Sequence, residues 1–314
     1  MMPLPLCRYR LVFRALESGM LPAFSGSALR GVFGAQFKRT VCVTKFHDCG
    51  DCPLVATCVF PRIFEGRSAA GSGILRNLDR VPVPYVIESE FGKVRRFAAG
   101  DEVSVFLTLI GNANRGLPYV VRAWSEAGRR GIGPGRISLE LVAIERQFDL
   151  AGSVTEAVMK EDQIVTVPKD QSPKLPELGH GIFSIELTSP LRLRLEGDLV
   201  TPDRISGYHL AVAAMRRISS LASVYGSSSS DHDFSALKDC SGALSVIDPK
   251  LGWVDYTRYS SRQKQLMKTG GIVGSLMLSV PPEAVAVMPW LWLGQWVGIG
   301  KNTSMGLGQY RLSP

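Results

Sequence analysis

Four of the six cysteines lie close together in the sequence. Cys42, Cys49, Cys52 and Cys58 have six, two and five residues between them. The pair Cys49 and Cys52 has the two-residue spacing with which two thiolates commonly bind one metal ion. In a compartment that keeps thiols reduced, such a cluster is typical of a metal site rather than of disulfides. We therefore predict a structural zinc ion held by four thiolates, with an iron–sulfur cluster as the alternative.

Glycines surround one lysine in the stretch GIGKNTSMGLGQYRLSP. A dinucleotide-binding loop has its glycines between a strand and a helix, whereas here a helical pattern precedes them. A P-loop is excluded because Gln295 replaces its first glycine and Asn302 follows Lys301. Two interpretations stay open. Gly300, Lys301 and Asn302 contact a nucleic-acid backbone, or the glycines only allow a tight connection between a helix and a strand.

Composition restricts the class of protein. The chain has 314 residues, of which 45% are hydrophobic and 20% charged, so it can bury a substantial core. Its formal net charge of +8 favours a polyanionic partner, with a solvated basic surface as the alternative. The sequence shows neither a secretory signal nor the uninterrupted apolar stretch of about 20 residues that a membrane-spanning helix needs. We therefore expect a cytoplasmic protein with no membrane partner.

Two similar successions of elements must position these residues. Apolar and basic residues alternate in CRYRLVFRA, which predicts a strand, and LRGVFGAQF follows with the spacing of a helix. Each half of the sequence predicts a strand, a helix, strands, a helix, a glycine loop and a final strand. The fold class is therefore α+β, with tandem ferredoxin-like (RRM-like) β-α-β-β-α-β domains at residues 1–165 and 181–314. The cysteines form an insertion in the first domain, and the glycine-rich loop lies near the end of the second.

These segments together resemble the CRISPR-associated RAMP proteins, specifically the endoribonucleases that process precursor CRISPR RNA. The resemblance covers most of the chain and rests on LRGVFGAQFKRTVC, CPLVATCVFPRIFE, WVDYTRYSSRQKQLMKTGGIVGSL and GIGKNTSMGLGQY. It implies metal-independent cleavage of a repeat RNA, in which a 2′-hydroxyl attacks its own phosphate. The products would carry a 2′,3′-cyclic phosphate and a 5′-hydroxyl.

The resemblance leaves two other functions open. The chain could be a non-catalytic RAMP subunit that binds guide RNA together with other subunits of a CRISPR effector complex. It could also be an interaction scaffold that a metal stabilises and that binds no RNA.

The implied reaction needs a base for the 2′-hydroxyl, a cation for the phosphorane and an acid for the leaving oxygen. The candidate histidines are His209, near the start of the second-half helix, and His47, between two of the cysteines. A helix N-terminus favours the neutral imidazole that a base requires. Relatives often carry histidines where this chain has Gly298 and Tyr225. We therefore include Tyr225 as a candidate acid and Lys301 as a candidate cation.

Arginine and tyrosine side chains supply the candidate RNA contacts. Arg216 lies two turns beyond His209 on the same helix face, whereas Arg217 points about 100° away. We therefore expect at most one of these two arginines to share the face of His209. The segment DYTRYSSRQKQ suits base stacking and phosphate pairing, although an exposed strand edge is the alternative. Its candidate contacts are Arg258, Tyr259 and Arg262.

Overall fold

The computed structural model describes residues 4–46, 48–67, 81–88, 90–133, 135–160, 163–166, 171–195, 197–226, 232–260 and 265–314, with side chains except at 258–260 and 268. Helices pack with antiparallel sheets in two units of one topology. The predicted α+β class with tandem ferredoxin-like folds is thus confirmed. We call residues 4–166 the first half and residues 181–314 the second half.

The first half contains a six-stranded antiparallel sheet and two helices. In chain order its elements are β1 (Leu6–Ala15), β2 (Gly19–Leu21), α1 (Gly26–Val41), β3 (Tyr85–Glu88), β4 (Arg95–Phe97), β5 (Glu102–Ile110), α2 (Leu117–Arg130), β6 (Leu139–Gln147), β7 (Thr155–Lys160) and β8 (Gln163–Ile164). The sheet order is β3-β5-β1-β6-β7-β8. Its first four strands with α1 and α2 form the ferredoxin-like unit, and β7 and β8 extend the sheet. A separate ribbon pairs β2 with β4.

The second half repeats this succession. Its elements are β9 (Gly181–Leu191), β10 (Arg194–Leu195), β11 (Asp198–Leu199), α3 (Gly207–Tyr225), α4 (Phe234–Ser241), β12 (Ser245–Ser260), β13 (Gln265–Val280), α5 (Met288–Val297) and β14 (Tyr310–Ser313). The sheet order β12-β13-β9-β14 corresponds strand by strand to β3-β5-β1-β6. Within the described ranges, none of these helices combines the length and the hydropathy needed to cross a membrane.

Alternation along β1 decides which side chains enter the first core. Phe13 is fully buried in the cluster that α1 and α2 also line. Arg8, on the opposite face, is only 3% exposed, and its guanidinium donates to both carboxylate oxygens of Glu88 at 2.9 and 3.1 Å. Arg10 lies 3.4 Å from the carboxylate of Glu145. The arginines of β1 are therefore paired and add little to a free basic surface.

The glycine-rich loop between α5 and β14 joins the two halves. Its short 3₁₀ turn, Thr303–Met305, packs against β3 and α1. Gly306 has a φ of +79°, and a Cβ there would lie 2.5 Å from the carbonyl oxygen of Ile87 in β3. Leu307 is buried as well. In this part of the loop, glycine therefore serves close packing against the first half.

Candidate functional site

A cavity of about 340 Å³ lies beside α3 in the second half. Three parts of the second half line it: residues 193–195 with Val200, α3 and the start of the glycine-rich loop. The basic side chains there are His209, Arg194, Arg216, Arg217 and Lys301. Leucine and valine side chains form much of the remaining wall, and Pro82 is contributed by the first half. We call this space the His209 cavity.

His209 is held at the start of α3 by the residue that caps the helix. The side-chain Oγ of Ser206 accepts the backbone N–H of His209 at 3.3 Å and lies 2.7 Å from its Nδ1. Partial burial lowers the pKa of His209, and the nearby charge of Arg204 lowers it further. The imidazole is therefore neutral near pH 7. In the tautomer whose Nδ1–H donates to Ser206, Nε2 can accept a proton, as a general base must.

Arg216 and Arg217 both line the His209 cavity, so the expectation that only one would do so was wrong. The two residues start about 100° apart on the helix, but each has a long side chain that reaches a cavity along this face. Arg216 is exposed to solvent, whereas Arg217 is partly buried.

Arg217 has unsatisfied hydrogen-bond donors. Its Nε and Nη2 atoms are buried and have no hydrogen-bond partner in the described part of the chain. Burial lowers the pKa of Arg217 to about 10, so it still carries its positive charge at pH 7. A buried donor without a partner is costly, and an anion that came within hydrogen-bond distance of these atoms would satisfy them.

Lys301 reaches this cavity from a sharply bent part of the loop. Gly300 has a φ of +82°, and a Cβ there would lie 2.4 Å from the carbonyl oxygen of Arg192. The backbone N–H of Lys301 donates to that same oxygen at 2.9 Å. Gly300 and Lys301 line the cavity, whereas the next residue, Asn302, turns the chain away with a φ of +63°. The structure thus brings together His209, the two arginines and Lys301.

Two family models match the chain, one in each half. The first is described only as an N-terminal domain and matches residues 4–171. The second is described as CRISPR-associated endoribonuclease Cas6 and matches residues 185–310, which include the charged residues of the His209 cavity. Over residues 185–310 the chain is similar to the Cas6 endoribonuclease family. The predicted resemblance to CRISPR-associated RAMP endoribonucleases is thereby confirmed, although none of the curated proteins compared matches the sequence.

Solved Cas6 structures share this fold over nearly the whole chain. A Cas6 product complex is 15% identical, with 98% of each chain covered and a TM-score of 0.55. Thermus thermophilus Cas6 is 12% identical, with the same coverage and TM-score. A chain of a partial Cas6-RT-Cas1--Cas2 complex is 13% identical with a TM-score of 0.58, but the present chain covers only 46% of it. In a further Cas6-RT-Cas1--Cas2 complex the share is 29%, so the chain spans less than half of these two relatives.

Tyr225 lies at the opposite end of α3 from His209. The two residues are separated by about 24 Å along the helix axis, since each of the intervening residues adds about 1.5 Å. The Tyr225 hydroxyl donates to the carbonyl oxygen of Pro82 at 2.8 Å, and burial raises its pKa above the usual range. The structure therefore does not bring Tyr225 together with His209, and this placement argues against a direct role as acid.

Four of the predicted site residues have no described side chain. His47 and Arg262 lie outside the described residues. Arg258 and Tyr259 are described only as backbone in β12, where they pair with residues of β13 near the far end of the two strands. Their assignment as RNA contacts stays a prediction.

The four clustered cysteines line one cavity of about 230 Å³ after α1. The hydroxyl of Thr44 lies 3.3 Å from the sulfur of Cys52 and 4.0 Å from that of Cys42. Burial raises the pKa of Cys49, and the negative charge of Glu65 raises it further. Within the described residues, no three His, Cys, Asp or Glu side chains are arranged around one metal position. The cavity unites the predicted ligands, and their assignment to a metal stays a prediction.

Sequence reasoning missed some residues of the His209 cavity. Ser206 could have been found, because a serine three residues before His209 is a common N-cap pattern. Arg194 also lines the cavity and is not among the candidate residues of the sequence analysis. Pro82 could not have been found, since only the packing of the two halves brings it to α3.

Proposed function

We propose that this chain is a Cas6 endoribonuclease, which binds CRISPR repeat RNA and cleaves precursor CRISPR RNA into guide RNAs. The observation that carries the proposal is the His209 cavity. There a neutral imidazole lines the same space as Arg217, whose buried donors have no partner among the described residues. Phosphate is the anion that arginine binds best through paired hydrogen bonds. A base and several cations at one phosphate are what RNA cleavage by an internal nucleophile requires.

In the proposed reaction, Nε2 of His209 removes the proton of the 2′-hydroxyl beside the scissile phosphate. The 2′-oxygen then forms a bond to phosphorus as the bond from phosphorus to the 5′-oxygen breaks. Arg217 and Arg216 stabilise the negative charge that builds up on the phosphorane. The Lys301 ammonium gives a proton to the leaving 5′-oxygen. The products carry a 2′,3′-cyclic phosphate and a 5′-hydroxyl, and these side chains supply each catalytic role without a metal ion.

A second candidate is a subunit that binds guide RNA without cutting it. Gly298, the position at which the resemblance implies a histidine, has a φ of +66°, and a Cβ there would lie 2.6 Å from the side-chain amide of Gln309. A histidine would be strained at this position, so the loop can hold RNA but cannot provide a second imidazole. Assembly with other CRISPR proteins, as in the Cas6-RT-Cas1--Cas2 structures, is compatible with either candidate.

Labelled repeat RNA incubated with the protein in the presence of a chelator tests the proposal. Cleavage that ends in a cyclic phosphate supports the enzyme, and tight binding without cleavage supports the second candidate. Cleavage that persists when the nucleotide at the cut carries a 2′-deoxy sugar would exclude the proposed nucleophile. His209→Ala and His47→Ala are compared with His180→Ala, a control because His180 is exposed in the segment before β9.

We also propose that Cys42, Cys49, Cys52 and Cys58 bind a structural zinc ion. Their presence around one cavity and the two-residue spacing of Cys49 and Cys52 support this assignment. A bound metal would fix the segment after α1. To bind it, the four thiolates would have to move toward a common centre. Elemental analysis of purified protein distinguishes zinc from iron, and protein without either metal would rule out the site.

A further inference from the structure

A second basic cavity of about 310 Å³ lies where the two halves meet. Its lining includes Arg62, Arg115, Asn112, Tyr119 and Tyr225, and we call it the junction cavity. Most of these residues belong to the first half, and Tyr225 is the end of α3.

The junction cavity is a neighbour of the His209 cavity. The Tyr225 hydroxyl donates to Pro82, a wall residue of the His209 cavity, while Tyr225 itself lines the junction cavity. The positive charges of Arg217 and Arg62 both act on Tyr225, one from each cavity. Arg217 and Tyr225 are about 12 Å apart along the helix axis. A short single strand of RNA that leaves the phosphate at Arg217 can therefore reach the junction cavity.

Two cations of the junction cavity carry no compensating charge. Arg62 and Arg115 are exposed, and neither has an ion pair within the part of the chain that is described. Arg67 lines the same cavity, but its guanidinium forms ion pairs with the carboxylates of Glu65 at 2.8 Å and of Asp48 at 3.5 Å. The net charge that remains inside the cavity is therefore positive and favours an anionic group such as a phosphate.

An aromatic ring and an amide accompany these cations. Tyr119, on the first turn of α2, leaves 51% of its surface exposed, and Asn112 presents an exposed side-chain amide nearby. Exposed aromatic rings stack on unpaired bases, and amides donate to and accept from base edges. A ring, an amide and two free guanidinium groups around one cavity suit a nucleotide better than they suit an acidic peptide, which needs no stacking surface.

We propose that the junction cavity binds one single-stranded nucleotide that flanks the cleaved phosphate. Tyr119 stacks on the base, Asn112 contacts its edge, and Arg62 and Arg115 bind the adjoining phosphates. This inference rests on the proposed RNA function and names a second RNA subsite for it. Tyr225 separates the two subsites through its hydrogen bond to Pro82.

The test combines protein variants with RNAs of different length. Repeat RNA is shortened one nucleotide at a time on each side of the cut, and affinity is measured by fluorescence anisotropy for the parent, Tyr119→Ala and Arg115→Ala. On the full-length RNA we expect Tyr119→Ala to weaken binding about 5- to 150-fold, the usual effect of removing one stacking ring. On RNA that lacks the flanking nucleotide, Tyr119→Ala and the parent should bind equally. Arg115→Ala should reduce the dependence of log affinity on log salt by about one phosphate contact.

Two further variants separate specific loss from unfolding. Tyr119→Phe keeps the ring and should retain the parent affinity. Arg122→Ala removes an arginine of α2 that pairs with Glu126 and does not line the cavity, so it should bind every RNA as the parent does. If Tyr119→Ala and Arg115→Ala match Arg122→Ala on all RNAs that the parent binds, the junction subsite is wrong while the proposed function stands. The subsite is also wrong if Tyr119→Ala loses affinity equally for full-length and for shortened RNA. A parent protein that binds no RNA would overturn the proposed function.

Discussion

Replacement of Arg217 by methionine should have opposite effects on stability and on RNA binding. In the free protein, the buried donor atoms Nε and Nη2 of Arg217, which have no partner among the described residues, each cost about 1–3 kcal/mol. Methionine removes both donors, while its smaller volume loses packing worth on the order of 1 kcal/mol. We therefore expect Arg217→Met to raise the free energy of unfolding by about 1–5 kcal/mol.

The same substitution should weaken RNA binding and cleavage. A hydrogen bond to a charged group contributes about 1.5–3 kcal/mol, so loss of the phosphate contact corresponds to about a 10- to 150-fold decrease in affinity. Urea unfolding with an unchanged m value measures the first effect, and anisotropy with repeat RNA measures the second. Arg216→Met is the matched control for stability. The side chain of Arg216 is exposed, so its replacement should leave the free energy of unfolding nearly unchanged. A less stable Arg217→Met protein would show that the guanidinium is already satisfied, and an unchanged RNA affinity would refute the phosphate contact.

Three other outcomes follow from the structure. Cleavage should fall as pH drops below the lowered pKa of His209, because protonation removes the base, and His209→Ala should abolish this acid limb with a loss of about 10²–10⁴-fold in rate. A pH–rate profile with an unchanged acid limb in His209→Ala would contradict the assignment. Gly306→Ala should lower the free energy of unfolding more than Gly92→Ala. Both glycines have positive φ, but a Cβ at Gly306 would lie 2.5 Å from a backbone oxygen, whereas no atom of the described residues lies within 4 Å of a Cβ at Gly92. Both substitutions introduce backbone strain of about 1–2 kcal/mol, and overpacking adds about 1–3 kcal/mol at Gly306. Equal urea midpoints for the two variants would contradict the close packing of Gly306 against β3. Cys49→Ser should reduce bound zinc and make thermal unfolding insensitive to a chelator, whereas a parent protein whose melting temperature ignores the chelator would count against a structural metal.

Periodicity explains why the fold could be predicted. In both halves the alternation of strands and the helical spacing of apolar residues are strong, and their repetition indicated two units of one topology. The ribbon of β2 with β4 and the sheet extension of β7 and β8 could not be predicted, because they depend on pairing between short segments with weak patterns.

Local spacing predicted part of the site. The distance of seven residues between His209 and Arg216 placed them on one helix face, and the structure brings them to one cavity. Arg217 was judged from its angle alone, although the reach of a long side chain decides whether it meets a cavity. The distance between Tyr225 and His209 could be calculated from the rise per residue of the helix. The contribution of Pro82 could not be predicted, because it depends on how the halves pack.

The glycine-rich loop makes RNA binding and the docking of the two halves thermodynamically linked. One short segment carries Lys301 into the His209 cavity and, a few residues later, Gly306 against β3. An RNA that binds more tightly when Lys301 is in the cavity therefore also favours the conformation in which the loop is docked against the first half. By reciprocity, whatever strengthens docking must raise RNA affinity by the same factor. RNA bound as proposed would then also hold the loop against β3, at a contact that the RNA does not itself touch.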